Sequence, residues 1–252
     1  MRRGKDQGGQ TPSSQFIDTL ADTQSEPAEV VVDAGIAELQ TLYHDGQATI
    51  PVFLTIQTST GLHRGVHMSR LVHAASLRQG VGIEGWLRAI CREVNRTQPG
   101  SWVTCRFEVP YSDQFIPVTI RTSEKGAVRY KFNAKGMTAC PCSKRMIGIG
   151  HMQRAEIIMI IDDKKGSLNM METIGKMEEC FSAMPTEKMK RIEEAKKILE
   201  AQENGRFAED LVRECAKRFP NSLYISSRCY ESIHAHDAIA TWSKKAGWAP
   251  LL

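Results

Sequence analysis

The run Gly136–Arg154, GMTACPCSKRMIGIGHMQR, most constrains this chain because it concentrates potential metal ligands between apolar segments. Cys140 and Cys142 flank a proline, and His151 follows eleven residues after Cys140. Thiolate and imidazole groups bind zinc and related transition-metal ions. The competing structural interpretation is that small thiols fill a turn beside an ordinary loop histidine. A closed zinc site needs four protein ligands, so the shortage in this run favours an open, catalytic metal site completed from elsewhere in the chain.

Composition indicates an ordinary globular protein. The 252 residues are 25% charged and 41% apolar, with a net charge of +4. No stripe of basic residues interleaved with aromatics is present, so we expect no nucleic-acid partner. No apolar run is long enough for a membrane span, and the basic start MRRGKDQGGQTPSSQ lacks the apolar core of a secretory signal. Seven cysteines without such a signal predict reduced thiols and a cytoplasmic protein.

The order of predicted elements indicates an α+β fold. Residues 1–28 are polar and predict a disordered lead-in. Alternating apolar residues predict strands, and apolar residues at helical spacing predict helices. The predicted strands are 50–56, 102–109, 115–122, 128–133, 156–161 and 223–229, and the helices are near 66–75, 83–95, 168–181, 187–199 and 207–219. A similar order of strands and helices occurs twice, which predicts two related modules, 29–125 and 126–252, the second carrying the metal site.

Several separated motifs together resemble one enzyme family. TACPCSKRMIGIGHMQR, with RGVHMSRL before it and MKRIEEA, FAEDLVR and ESIHAH after it, resembles the type IB GTP cyclohydrolases of the bacterial folate and archaeal methanopterin pathways. The family patterns run roughly as KG(I/V)HMSR, CPCS-KE-GAHNQR, LKRxDEK, FVEDxVR and FESIHNH. The similarity extends from about residue 30 to about residue 240. It implies tandem T-fold modules, with antiparallel sheets and helices on one face, assembled around a tunnel, usually as a homotetramer whose neighbouring subunits share active sites.

The same resemblance implies a set of metal ligands. Carried over by position, it assigns an iron, manganese or zinc ion to Cys140, His151, Glu194 and His234. Glu193 competes with Glu194, and Cys142 competes with Cys140. On residues alone, the two glutamates are typical of a solvated helix face, and His234 and His236 would share one face of a strand. The loop before His151 is one residue shorter than the family pattern.

Catalytic and substrate-binding residues follow from the resemblance as well. Cys140, Cys142 and His236 form the predicted catalytic group, the last two as acid or base. Glu209 and Glu231 are candidates for holding guanine, because a carboxylate accepts from N1–H and the 2-amino group together. The segment RGVHMSR offers cations and a hydroxyl for the triphosphate, although it could equally be a basic helix turn. Its candidate residues are Arg64, His67, Ser69 and Arg70.

The resulting expectation is a metal-dependent GTP cyclohydrolase. It would hydrolyse the guanine imidazole ring at C8, release formate, and form 7,8-dihydroneopterin triphosphate or its 2′,3′-cyclic phosphate. The sequence does not distinguish these product branches. Two alternatives remain: a T-fold nitrile reductase that acts on a deazapurine with NADPH and a nucleophilic cysteine, and a non-catalytic, zinc-stabilised T-fold oligomer.

Overall fold

One antiparallel sheet organises the molecule. The structure is a computed structural model that describes residues 22–44, 46, 48–77 and 80–245. Eight strands in these ranges form a single sheet in which every strand pairs with its neighbours in chain order. The strands are β1 (Asp33–His44), β2 (Thr49–Ser59), β3 (Trp102–Tyr111), β4 (Gln114–Ser123), β5 (Val128–Ala139), β6 (Met152–Asp163), β7 (Ser222–Cys229) and β8 (Ala238–Ser243).

Within the same described ranges, six α-helices are inserted between the strands. They are α1 (Met68–Ser76), α2 (Gly82–Asn95), α3 (Pro141–Ile147), α4 (Met170–Glu178), α5 (Arg191–Glu203) and α6 (Ala208–Arg218). Helices α1 and α2 lie between β2 and β3, the short α3 joins β5 to β6, and the last three helices connect β6 to β7. None of the helices in the described ranges combines the length and apolarity needed to cross a membrane.

The sheet has one buried face because strand residues alternate. The register aligns Val118, Phe132, Met159 and Ile225 across four neighbouring strands, and all four side chains are buried. Leu87, Ile174 and Leu211, from three different helices, belong to the same core cluster. The helices therefore cover one face, which confirms the predicted α+β class of antiparallel strands with helices on one side.

Two strands, a group of helices and two strands follow each other twice, which is the tandem arrangement of T-fold modules. The two sets join where β4 pairs with β5 from Val118–Phe132 to Arg121–Arg129. Because one sheet and one core cluster continue across this junction, the division between 125 and 126 stays a prediction. Of the predicted lead-in, residues 1–21 lie outside the described residues, and the rest contains a short 3-10 helix at Thr23–Ser25.

Three local predictions need correction. Cys140 and Cys142 do not lie in a turn, because Cys140 caps α3 and Cys142 belongs to it. His234 and His236 do not share a strand, since they lie in the loop between β7 and β8. Strands β1 and β8 were not predicted; both contain only half-buried and exposed positions, with no buried apolar run.

We expect Gly136→Ala to destabilise the protein by about 1–3 kcal/mol through overpacking. A Cβ at Gly136 would lie 2.2 Å from Cγ of Phe181, whose ring is buried against β5. Urea unfolding of Gly136→Ala, Phe181→Ala and the double variant measures the coupling. Removing the Phe181 ring should relieve most of the destabilisation caused by the added methyl group. Additive changes in the free energy of unfolding in the double variant would contradict this contact.

Candidate active site

The loop that carries Cys140 and His151 is closed at its base. Cys140 N–H donates to the His151 carbonyl at 2.9 Å, immediately beyond the last β5–β6 pair, Ala139 and Met152. Gly150 fits beneath this closure because a Cβ there would lie 2.6 Å from the Cys140 carbonyl oxygen. The predicted thiolate and imidazole, eleven positions apart in sequence, are thus backbone neighbours at one end of the sheet.

Helix α3 and helix α5 fix the remaining loop. Pro141 occupies the first turn of α3, where a missing N–H costs nothing, and Gly148 ends the helix in the left-handed region at φ 81°. The Ser143 hydroxyl accepts from His151 N–H at 3.1 Å. From α5, the Gln202 side chain accepts from Gly150 N–H and donates to Gly150 C=O, both at 2.8 Å. This two-point contact holds the residue directly before His151.

A pocket of about 280 Å³ brings together six of the twelve predicted site residues. Cys140 and His151 come from the β5–β6 connection, Glu209 from α6, and His234 from the β7–β8 loop. The β5–β6 and β7–β8 connections lie at the same end of the antiparallel sheet, and the start of α6 reaches this end too. The full lining is Cys140, His151, Gln153, Arg206, Phe207, Ala208, Glu209, Glu231, His234, His236 and Ala238.

Three imidazoles cluster in this pocket. The rings of His234 and His236 stack with centroids 5.0 Å apart, and the ring of His151 meets His234 edge-on at 6.4 Å. Two imidazoles on one tetrahedral zinc ion would have centroids about 5 Å apart. In the described ranges no three His, Cys, Asp or Glu side chains already lie close enough to hold one ion. The donor set of one thiol and two imidazoles nevertheless suits a transition metal after a small approach of the rings.

The predicted carboxylate and second thiol lie outside the pocket within one chain. Glu194 is exposed on α5 and does not line the pocket. Glu193 accepts from Lys190 N–H at 2.8 Å, which caps the start of α5. Cys142 is exposed on α3 and also does not contribute to the lining, whereas Cys140 is half-buried and does.

The predicted triphosphate residues occupy the other end of the sheet. His67 and Arg70 line a separate cavity of about 390 Å³ beside the end of β2. Arg64 forms an ion pair with Glu26 at 2.5 Å, and neither Arg64 nor Ser69 lines this cavity. Within one chain, the two cavities share no residue.

Sequence reasoning missed two glutamines of the site. Gln153 Oε1 lies 2.9 Å from His151 Nδ1, and Gln153 Nε2 lies 3.4 Å from Glu231 Oε1. Its position two residues after His151 at the start of a strand is a signal that could have found it. The position of Gln202 in the sequence does not indicate a role in the site, because Gln202 contacts the loop from α5, about fifty residues away in the chain.

Burial keeps the Cys229 thiol of β7 protonated. Burial, together with the nearby carboxylates of Glu231 and Glu209, raises the pKa of Cys229 to about 11. Its Sγ lies 3.7 Å from the Thr138 hydroxyl. Cys229 therefore stays protonated at neutral pH and acts as a small apolar group behind the pocket.

Comparisons with known proteins identify the family of this chain. Residues 32–240 match the family described as type I GTP cyclohydrolase folE2. The chain is 29% identical to GTP cyclohydrolase MptA of Aeropyrum pernix over 76% of this chain and 80% of that protein. It is 30% identical to GTP cyclohydrolase FolE2 of Pseudothermotoga lettingae over 79% of this chain and 83% of that protein. The chain belongs to the type I GTP cyclohydrolase FolE2 family.

Among solved structures, uricase from Arthrobacter globiformis aligns with a TM-score of 0.49 at 8% identity. That alignment covers 90% of this chain and 98% of the uricase chain.

We expect Gln202→Ala to loosen the loop before His151. Losing a buried amide partner costs about 1–3 kcal/mol, so exchange of the Gly150 amide hydrogen should accelerate on the order of 10-fold. Hydrogen exchange measured by NMR tests this. The neighbouring exposed residue supplies the control, Glu203→Ala, which should leave the Gly150 rate unchanged. Equal rates in the two variants would contradict the role of the Gln202 contact.

Proposed function

We propose that this protein is a metal-dependent GTP cyclohydrolase of the type IB kind, acting in pterin biosynthesis. The observation that carries the proposal is that Cys140, His151 and His234, distant in sequence, line one pocket together with Glu209 and Glu231. Family membership supplies the reaction class, and the pocket supplies the chemical groups that this reaction needs. The products would be formate and 7,8-dihydroneopterin triphosphate or its 2′,3′-cyclic phosphate.

The proposed metal ligands are Cys140, His151 and His234, with Glu194 as a further predicted ligand. A bound divalent iron, manganese or zinc ion would supply Lewis-acid activation of water at neutral pH. The exposure of Glu194 on α5 means that it must reach the ion from another chain or after a rearrangement. His236, stacked on His234, and Cys142, in the first turn of α3 and outside the pocket within one chain, remain the proposed acid or base groups.

Glu209 is the better placed of the two carboxylates for guanine. It lies in the first turn of α6 and lines the pocket. Within the described residues, no hydrogen bond or ion pair uses its carboxylate, so both oxygens can accept from a planar edge. A guanine edge that offers N1–H and the 2-amino group fits such a carboxylate with two parallel hydrogen bonds.

A homo-oligomer, proposed as a tetramer, would complete the site. Apolar side chains next to the pocket are strongly exposed in one chain: Met146 at 78%, Ile147 at 73%, Ile149 at 66% and Ile233 at 64%. Exposed apolar groups around a site indicate contact with another protein surface. A neighbouring copy could also bring His67 and Arg70 towards the pocket, since these residues lie at the far end of their own sheet.

The activity test uses the full chain with GTP and manganese or ferrous iron under reducing conditions. We expect formate and, after oxidation, a fluorescent pterin, and we expect His151→Ala to lower kcat at least 100-fold. Turnover that requires NADPH and a deazapurine nitrile, without formate from GTP, would instead support the nitrile reductase. Zinc binding with neither activity would support the non-catalytic oligomer.

We also expect zinc to protect Cys140 from alkylation by iodoacetamide while Cys142 reacts at an unchanged rate. The physical reason is that Cys140 lines the pocket and Cys142 points outside it. Tandem mass spectrometry of the peptide that contains both cysteines locates each adduct. The matched variants are Cys140→Ala, expected to lose zinc, and Cys142→Ala, expected to keep it. Full zinc content in Cys140→Ala would refute the ligand assignment.

A further inference from the structure

We propose that Glu231 is a positioning residue that acts through Gln153 to fix the tautomer of His151, and that it does not hold the guanine. This inference rests on the proposed function in one respect: the fixed tautomer is useful because His151 is a proposed metal ligand. The tautomer itself is measurable in the protein without metal or substrate.

The three side chains form a connected group at the wall of the pocket. His151 Nδ1 lies 2.9 Å from Gln153 Oε1 and 3.6 Å from Glu231 Oε2. Gln153 Nε2 lies 3.4 Å from Glu231 Oε1. The side chains of His151 and Glu231 are only 16% and 11% exposed, so water competes little for these contacts.

The carboxylate decides which way the Gln153 amide faces. An ionised carboxylate can only accept hydrogen bonds, so the NH₂ end of Gln153 must face Glu231. The carbonyl end then faces His151, and because a carbonyl also only accepts, Nδ1 must carry the proton. The reverse orientation would place Gln153 Oε1 against Glu231 Oε1, acceptor against acceptor. Glu231 therefore determines the tautomer of a ring that it reaches chiefly through another side chain.

The fixed tautomer prepares His151 for a ligand bond. With the proton on Nδ1, the lone pair of the neutral ring is on Nε2. A histidine ligand commonly has its other ring nitrogen held by a hydrogen-bond acceptor, which orients the ring and increases its basicity. Gln153 supplies that acceptor here, and Glu231 prevents the amide from turning round.

These contacts indicate different roles for the two glutamates of the pocket. Both oxygens of Glu231 face groups of the protein, Gln153 and His151. Binding the N1–H and 2-amino group of guanine would require both oxygens to leave these contacts. Glu209 lines the same pocket without such contacts among the described residues. Guanine recognition therefore falls to Glu209, and Glu231 serves the histidine.

The direct test is NMR of the metal-free protein labelled with ¹⁵N in histidine, at about pH 8.5, well above the ordinary imidazole pKa. Two-bond proton–nitrogen correlations distinguish the tautomers, and His151→Gln identifies the His151 signals by their loss. We expect His151 to carry its proton on Nδ1. A proton on Nε2 in the unmodified protein would overturn the proposal.

The isosteric variant Glu231→Gln then tests the connection through Gln153. The new amide can donate to Gln153, which allows the Gln153 amide to reverse and moves the proton of His151 to Nε2. The matched control is Glu209→Gln, the same carboxylate-to-amide change in the same pocket, which should leave the His151 tautomer as it was. An unchanged tautomer in Glu231→Gln would overturn the proposal, and circular dichroism verifies that both variants fold.

Two further measurements separate this inference from the proposed function. In zinc titrations against a chromophoric chelator, Glu231→Gln should bind zinc about 10–100-fold more weakly, and Glu209→Gln should bind it normally. In GTP turnover, Glu209→Gln should mainly raise KM, whereas Glu231→Gln should mainly lower kcat. Should the unmodified protein bind no zinc and turn over no GTP while the tautomer responds as stated, the positioning role stands and the proposed function fails.

Discussion

The pairing of β5 with β6 is the constraint on which the candidate site depends. Twelve residue pairs run without a register shift from Val128–Asp163 to Ala139–Met152. Because the register does not slip, the Cys140–His151 hydrogen bond follows as the next step of the ladder. A one-residue slip would turn every β6 side chain to the opposite face and would bring Arg154 and Glu156 to the core side in place of the buried residues. The buried alternation of Ala155, Ile157 and Met159 opposes such a slip, so the core indirectly fixes the spacing of the thiol and the imidazole.

The order of the strands in the sheet also determines where the other site residues lie. Successive connections of an antiparallel sheet alternate between its two ends, so the β5–β6 and β7–β8 connections share one end, which the start of α6 also reaches. Strands β2 and β3 place the RGVHMSR segment at the opposite end, beside Gln98 and the end of β2. The topology thus separates the proposed metal ligands from the basic segment along the strands. The proposed homo-oligomer would let one substrate contact both groups, and the exposed apolar residues beside the pocket suit such a contact.

The sequence could predict what depends on periodicity and composition. Strands with a buried alternating face, such as β2 and β4, and helices with an apolar stripe, such as α2, were predicted close to their observed bounds. Strands β1 and β8 could not be predicted in this way, because each is an edge strand with one neighbour and contains no fully buried residue. The motifs located Cys140, His151 and His234, since chemistry-bearing residue types stand out in a short run. They could not show that Cys142 and Glu194 lie outside the pocket, because that depends on the direction in which α3 and α5 leave the sheet.

Gln153 and Gln202 show why the supporting residues of a site are harder to find than its reactive ones. A glutamine has no perturbed charge and no ligand preference that sets it apart in a sequence. A glutamine is useful here because its rigid amide carries a donor at one end and an acceptor at the other. A partner that can only accept at one end therefore requires a partner that donates at the other end. Both ends of the Gln202 amide contact the backbone of Gly150, so Gln202 fixes the position of the residue before His151. The Gln153 amide lies between Glu231 and His151, so Gln153 fixes which ring nitrogen of His151 carries the proton. The loop before His151 is shorter than the family pattern, and a shorter loop has fewer conformations in which the ring can reach Cys140. Holding both the backbone before the ring and the proton on it restricts His151 to one position and one tautomer, which is what a ligand must have before the ion arrives.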